Sequence, residues 1–149
     1  MAQTEGGISF VDCKVETSTD GAAWTDVSGF GAGIAPSGGA RQSGEAYTFD
    51  GDTAIIKGGK REPLEITVRA VYTEGGSDPF TVVLAAYEAG SDFYVRYSPK
   101  GGDSSEFLFT SDAGIVISAP YPTGEAGSGD PTLFEFVLKT PAVTKSAVA

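Results

Sequence analysis

The sequence contains no histidine and a single cysteine, Cys13. These absences exclude Ser-His and Cys-His catalysis, histidine-ligated or multi-cysteine zinc sites, and an intramolecular disulfide. Only 10 of the 149 residues are basic, against 20 acidic residues, and the net charge of −10 disfavours a surface that grips phosphates. The sequence therefore predicts neither a familiar enzyme nor a protein that binds nucleic acid tightly.

Long apolar stretches are also missing. No run approaches the roughly 18–20 apolar residues that cross a bilayer, and the first residues lack the basic-then-apolar order of a signal peptide. Cys13 alternates with Val11 and Val15, which predicts a buried and inert thiol. We therefore expect a protein without membrane insertion that is made in a reducing cytoplasm.

Glycine, by contrast, is abundant, with 21 residues, or about twice the usual share. Together with 8 prolines and the lack of a long helical pattern, this composition predicts short strands joined by turns. The length suits one compact core. We expect one mainly β domain over residues 1–149.

Alternation of apolar and polar residues predicts the strands. Residues 9–17 and 23–27 form a hairpin around a turn at 18–21, and residues 63–73 are the clearest strand. In that strand Leu64, Ile66, Val68, Ala70 and Tyr72 face the core, while Glu65, Thr67, Arg69 and Thr73 face away. Further strands are predicted at 93–97, 106–110, 115–118 and 133–138, with shorter pieces in 47–57 that are interrupted at 50–52.

One helix is predicted at 79–89. Asp78 is a suitable N-cap, Pro79 fits the first turn, and Gly90 can adopt the left-handed conformation that ends a helix. The spacing i, i+3, i+4, i+7 predicts one packing stripe. This stripe consists of Phe80, Val83, Leu84 and Tyr87.

Two segments carry little periodicity. The glycine-rich stretch 28–44 predicts a long loop, and loops of that length are usually functional or disordered. Lys57-Gly-Gly-Lys60 predicts a reversal. Residues 140–149 predict a tail without regular structure.

Carboxylates offer the only candidates for catalysis or metal binding. Glu62, Glu65, Glu106 and Glu135 could act as acid and base, but each lies on an alternating strand or at its edge, as a solvated strand face requires. Residues 50–52 and 103–106 contain oxygen ligands without the spacing of a calcium hand, and they predict turns. We expect no enzyme activity, no cofactor and no metal site.

A local motif supports an alternative function. Ser18-Thr-Asp-Gly-Ala-Ala-Trp24 looks like the SxDGxxW hairpin of several sugar-binding and sialidase-type β-modules. Trp24, Tyr47 and Tyr94 could supply the aromatic surface of a carbohydrate site. The alternative is therefore a monomeric carbohydrate-binding β-module.

Several segments, taken in order, carry a wider resemblance. VETSTDGAAWTDVSGFG (15–31), GDTAIIKGGKREPLEITVRAVYTEG (51–75) and DPFTVVLAAYEAGSDFYVRYSPKGG (78–102), with the closing ISAPYP and DPTLFEFVLKTPAV, resemble the tail tube (major tail) protein of long-tailed bacteriophages. That family is related in fold to the tube proteins of contractile injection systems. The resemblance implies a β-sandwich or half-barrel with one flanking helix, assembled in hexameric rings whose inner strands form a shared β-barrel.

The resemblance also implies a location and partners. Rings would stack into a phage tail tube, assembled in the host cytoplasm, that conveys the genome during infection. Partners would be other copies of this chain, the tail tip or baseplate, tape measure and tail terminator proteins, and double-stranded DNA that passes without specific binding. A net negative ring would repel phosphates.

Particular residues take roles under this resemblance. The lumen-facing residues would be Glu65, Thr67 and Arg69. A stacking loop at 29–46 would contact the next ring through Gly31, Ile34, Pro36, Arg41 and Gln42. Segments 1–7 and 140–149 would serve as terminal arms.

Overall fold

The computed structural model describes residues 2–149. Its regular structure is mainly β, with one α-helix, α1 (Pro79–Ala89). The strands are β1 (Lys14–Ser18), β2 (Thr25–Asp26), β3 (Gly31–Gly38), β4 (Arg41–Ala46), β5 (Ile55–Arg61), β6 (Leu64–Val71), β7 (Tyr94–Ser98), β8 (Phe107–Ser111), β9 (Ile115–Val116), β10 (Leu133–Thr140) and β11 (Val143–Ala147).

The strands form two antiparallel sheets and one ribbon. Sheet A has the order β11-β8-β7-β1-β2, and sheet B has the order β3-β6-β10-β9. The ribbon is the pair β4-β5, which extends the β3-β6 pair away from sheet B. The predicted mainly β fold with one short helix is confirmed.

The apolar faces of sheets A and B enclose one core. Sheet B contributes alternate residues of β6 and β10, including Ile66, Phe136 and Leu138, and sheet A contributes Val95. Phe93, just before β7, meets Phe136 edge to face with ring centroids 5.9 Å apart. Such aromatic pairs stabilise a core beyond the area they bury, so this contact ties the two sheets together.

Helix α1 covers the predicted range and ends at Gly90, whose φ is 62°. Asp78 does not cap the helix with its side chain. Its carboxylate instead accepts bonds from the Thr73 hydroxyl at 2.6 Å and the Gly75 N–H at 3.0 Å, and these bonds fix the preceding loop.

The side of α1 that meets the core is offset from the predicted stripe. Val83 is 1% exposed, and Phe80 and Tyr87 pack against the core. Ala86 is also buried, whereas Leu84 is half-buried and lies outside the core cluster. The buried stripe of the helix therefore passes through Val83 and Ala86. Their short side chains let the helix backbone lie close to the sheet.

The first predicted strand is only half correct. Residues Phe10–Asp12 form a 3-10 turn, and Val11 is 86% exposed. On β1 the supposedly wet face is wrong at Glu16, which is 8% exposed because Arg96 of β7 covers it. Cys13 is half-buried, and burial raises the pKa of its thiol.

The glycine-rich segment is not the predicted loop, because it forms β3 and β4. The pairing of these strands with β6 and β5 is nearly continuous from sheet B into the ribbon. Between the two, the Gly39 N–H donates to Pro63 O at 3.1 Å and the Glu62 N–H donates to Ala40 O at 2.8 Å. Lys57-Gly-Gly-Lys60 lies inside β5 and not in a reversal. Backbone pairing with the well-patterned strand β6 orders β3 without side-chain alternation of its own.

The C-terminal segment differs from the predicted arm because part of it is a strand. Residues 143–147 form β11 at an edge of sheet A, paired with β8, so that part of 140–149 is not a free tail. Residues 2–9 carry no regular element, and Met1 of the predicted N-terminal arm lies outside the described residues.

Candidate assembly surfaces

The face of sheet B that points away from the core carries Glu65, Thr67 and Arg69 in line on β6. Register places Glu65 opposite Lys139 of β10 and Arg69 opposite Glu135. Each acid therefore has a base as its cross-strand neighbour, an arrangement that stabilises a sheet. Among the paired residues of sheet B this face has no net charge, so the −10 of the chain lies elsewhere.

The edge strands of sheet B have open outer sides within residues 2–149, since β3 pairs only with β6 and β9 only with β10. Directly before β9, Gly114 exchanges two backbone hydrogen bonds with Phe93, at 2.8 and 3.1 Å, so the open part of this edge begins at Ile115. Near the β9 edge Ile115 and Ile117 are both exposed. Free edges of this kind invite pairing with another chain unless they are blunted or covered.

The ribbon is exposed on every residue of both strands. A two-stranded hairpin is at best marginally stable in water when nothing covers either face. Ile55 pairs with Ala46 and Ile56 pairs with Glu45, so the two isoleucines lie on opposite faces, and both are exposed. Large apolar side chains are therefore exposed to water on both faces of the ribbon.

Charge along the ribbon is uneven. The ribbon, whose root lies next to sheet B, carries four of the ten basic residues of the chain on its two strands, and no residue of 2–149 forms an ion pair with them. These are Arg41, Lys57, Lys60 and Arg61. Its tip carries Asp50 and Asp52 beside the exposed rings of Tyr47 and Phe49.

The residues predicted to contact a neighbouring ring fall in two places. Gly31, Ile34 and Pro36 belong to β3 inside sheet B, whereas Arg41 and Gln42 belong to the root of the ribbon. There Arg41 Nη1 donates to Gly59 O at 2.9 Å, and Gln42 Nε2 donates to Glu62 Oε1 at 2.6 Å.

The apolar residues of the tip were not among the predicted contacts. The signal that could have found them is the set of large apolar side chains flanking Asp50-Gly51-Asp52: Tyr47, Phe49, Ile55 and Ile56.

The outer face of sheet A carries the hairpin motif of residues 18–24. Asp20 Oδ1 accepts the N–H groups of Ala22 and Ala23 at 2.8 and 2.9 Å. These bonds, with a further one from the Ser18 hydroxyl, lower the pKa of Asp20. The aspartate therefore serves the turn itself.

The aromatic residues of the carbohydrate hypothesis are only partly brought together. Trp24 and Tyr94 meet edge to face with centroids 6.3 Å apart, but the guanidinium of Arg96 lies 4.4 Å over the Trp24 ring. Tyr47 follows β4 on the ribbon, in a different part of the fold. A flat, open aromatic platform is not formed by these three residues.

The four candidate carboxylates are also dispersed. Glu65 and Glu135 share a face but lie four residues apart in register, or about 13 Å. Glu62 is held by Gln42, and Glu106 accepts the N–H groups of Gly102 and Asp103. Within residues 2–149 no three His, Cys, Asp or Glu side chains come together as a metal site, and no helix is long and apolar enough to cross a membrane.

Comparisons with known proteins identify the fold. No family model matches the chain, and no curated protein matches its sequence. Solved structures do match. A chain of an extended sheath–tube complex from an extracellular contractile injection system (PVC) has a TM-score of 0.67 and 17% identity, covering 97% of this chain and 94% of that one.

Two further matches come from other particles. A chain of the SPP1 tail tube has a TM-score of 0.67 at 14% identity, covering 95% of this chain and 80% of that one. A chain from the tail of an empty gene transfer agent particle, determined with C6 symmetry, has a TM-score of 0.64 at 11% identity, covering 99% and 100%. The chain therefore has the fold of tail tube proteins.

Proposed function

We propose that this chain is the structural subunit of a tail tube, assembling as rings of six copies that stack into a hollow tube for genome passage. The observation that carries the proposal is the similarity of nearly the whole chain to tail and tube structures. Its unpaired sheet edges and uncovered ribbon support it independently, because a monomer has no use for either.

Sheet B is the part that would line the channel. Its four strands alternate in direction, so β9 of one copy can add antiparallel to β3 of the next. Closing the sheet in this way would remove every edge of sheet B, and Ile115, the register partner of Lys139, would lie on the channel face near the junction. The tube wall would then be a continuous antiparallel barrel.

The outer face of sheet B would become the channel surface, with Glu65, Thr67 and Arg69 facing the lumen. The balanced charges of Glu65 with Lys139 and of Arg69 with Glu135 would make this wall neutral, although the chain as a whole is negative. A wall in which each base has an adjacent acid offers phosphates no basic cluster and lets DNA move without being held.

The ribbon would make the contact between rings. Arg41 and Gln42 lie at its root and its aromatic tip projects away from sheet B, so it can span the gap to another ring. Gly31, Ile34 and Pro36 would act instead through the β3 edge within one ring. Similar structures include a tube terminator, a tube-terminating cap and a baseplate, and we propose corresponding end partners here, together with a tape measure protein and DNA inside the particle. Location in a phage-like virion, after assembly in the host cytoplasm, follows from this role.

Size-exclusion chromatography and negative-stain electron microscopy of the purified chain test the proposal. Rings or rods with a central channel are expected, and a cryo-EM map of them gives the copy number and the lumen-lining strands. A protein that stays a 15 kDa monomer over a wide range of concentration and salt would contradict the proposal. Glycan binding by that monomer would support the carbohydrate-binding module instead.

A further inference from the structure

The tip of the ribbon combines one fully exposed aromatic ring with flanking acids. Phe49 has no protein covering it, and Tyr47 is mostly exposed beside it. Asp50 and Asp52 follow directly, and neither forms an ion pair within residues 2–149. An uncovered phenylalanine at the end of a projecting hairpin costs free energy in water, so its burial against a partner is favourable.

A groove of matching chemistry lies at one end of sheet A. Its volume is about 400 Å³, within the range of cavities that hold ligands. Apolar side chains from the N-terminal segment and β8 line it, namely Ile8, Phe107 and Phe109, with Pro99. Ile8 and Phe107 are more than half exposed, so nothing in residues 2–149 covers the groove.

The rim of the groove has two lysines and one acid near it. Lys100 lines it, and Lys145 Nζ lies 3.9 Å over the Phe107 ring. The one acid in the lining, Glu106, has its carboxylate bonded to the N–H groups of Gly102 and Asp103. The groove therefore offers an apolar floor and two lysines to an incoming group.

We propose that the ribbon tip of one copy inserts Phe49 into this groove on a second copy, with Asp50 and Asp52 meeting Lys100 and Lys145. Apolar burial supplies the affinity, and the paired charges fix the orientation of the tip and speed its docking. The partner is a second copy of this chain, because one molecule carries both complementary surfaces and a repeating contact between them builds an open chain of subunits. This inference rests on the proposed tube function and names the acceptor of its ring-to-ring contact.

Cross-linking between separately prepared copies tests the contact. In a Cys13→Ala background, one preparation carries Asp50→Cys and another carries Lys100→Cys, so a disulfide between the two thiols can form only between copies. The mixture should give a covalent dimer under mild oxidation, whereas a chain with both changes should give a ladder. A matched control pairs Asp50→Cys with Asp92→Cys, on the segment after α1, and its yield should be at least about tenfold lower.

Assembly measurements supply the second arm. Phe49→Ser should raise the protein concentration needed for tube formation by about tenfold or more, as the loss of a buried aromatic anchor does. Tyr121→Ser, which removes another exposed ring, should leave it unchanged. Asp50→Lys with Asp52→Lys should block assembly, and adding Lys100→Glu and Lys145→Glu should restore it.

The outcomes separate this contact from the tube function. Tubes that form normally from Phe49→Ser, or equal cross-linking to the control position, would overturn the groove assignment and leave the tube function standing. An internal disulfide in the doubly changed monomer would mean that the ribbon fills its own groove, which also overturns the assignment. Failure of the unmodified chain to form any ring or tube would instead refute the proposed function.

Discussion

Arg96 of β7 donates both Nε and Nη2 to one oxygen of Glu16 on β1, Oε2, at 3.0 and 2.5 Å. The two residues are Cα partners across the sheet, and Lys14 reaches the other oxygen of the carboxylate at 3.2 Å. Only 11% of the Glu16 side chain is exposed. The pair joins segments 80 residues apart in sequence and holds the outer face of sheet A together.

Arg96→Met should therefore lower the free energy of unfolding by about 2–3 kcal/mol, because it leaves a mostly buried carboxylate with one exposed lysine. The value lies below the usual range for fully buried pairs, since 27% of the Arg96 side chain is exposed. Urea denaturation measures it. Adding Glu16→Gln should recover at least half of the loss, and a double variant no more stable than Arg96→Met would contradict the pairing.

The offset packing of α1 leads to a matched pair of substitutions. Val83→Asp should destabilise the fold by several kcal/mol, because Val83 is fully buried and an aspartate there has no partner. Leu84→Asp should cost less than half as much, since Leu84 is half-buried and outside the core cluster. Thermal unfolding of the two variants measures the two losses of stability. A larger loss for Leu84→Asp than for Val83→Asp would show that the other face of the helix packs on the core.

Acid sensitivity should arise partly in the β1-β2 hairpin. Bonds from the Ala22 and Ala23 N–H groups lower the pKa of Asp20, and bonds from the Ser28 hydroxyl and N–H lower that of Asp26. A depressed carboxyl pKa contributes stability that is present above the unfolded pKa, near 4, and is lost as the pH falls through the folded value.

The melting temperature should accordingly decrease as the pH is lowered under about 4. The decrease should be less steep in a protein that carries both Asp20→Asn and Asp26→Asn. The control is Asp92→Asn, because the Asp92 carboxylate accepts no hydrogen bond within residues 2–149 and the profile should keep its shape. An unchanged slope in the double variant would remove the hairpin from the acid response.

The proposed channel face can be tested with Glu65→Lys. The change removes the acid opposite Lys139 and leaves two bases side by side in one row of the sheet. Tubes should still form, but particles carrying the variant should release their genomes more slowly because the row attracts phosphates. Glu88→Lys, on the exposed side of α1, is the matched control, and equal genome release from both variants would place Glu65 outside the lumen.

The ribbon can be removed without breaking sheet B. Ala40 and Glu62 are already joined by a backbone bond, so a two-residue Asn-Gly turn between them should close the shortened hairpin. We expect a folded subunit with the circular dichroism of a β protein that forms no long tubes. Wild-type tube length from this variant would show that the ribbon has no role in stacking.

Elements with strong periodicity were predictable from sequence. Strand β6 alternates cleanly between Leu64 and Val71, and α1 carries a proline, an apolar stripe and a terminal glycine. Strand β3 could not be predicted, because Gly31–Gly38 consists mostly of small residues and proline. Its order comes from backbone bonds to β6, which sequence periodicity does not record.

The assembly surfaces were predictable only in part. The outward direction of Glu65, Thr67 and Arg69 follows from alternation, but their neutralisation by Lys139 and Glu135 depends on a register set by residues about 70 positions away. The groove under Phe107 was hidden for the same reason, since Ile8 and Pro99 reach it from distant parts of the chain. Local patterns report which way a side chain points and not what it meets.

The even number of strands in sheet B has a consequence for the inner diameter of the proposed tube. With four alternating strands, β9 and β3 of adjacent copies would meet antiparallel whatever the number of copies, so the proposed pairing favours no particular ring size. Barrel diameter follows strand number, tilt and stagger, and the stagger between copies would be set at this one junction. On one side that junction is only two residues long, Ile115–Val116. Lengthening or shifting this strand would therefore widen or narrow the bore while leaving the subunit itself intact.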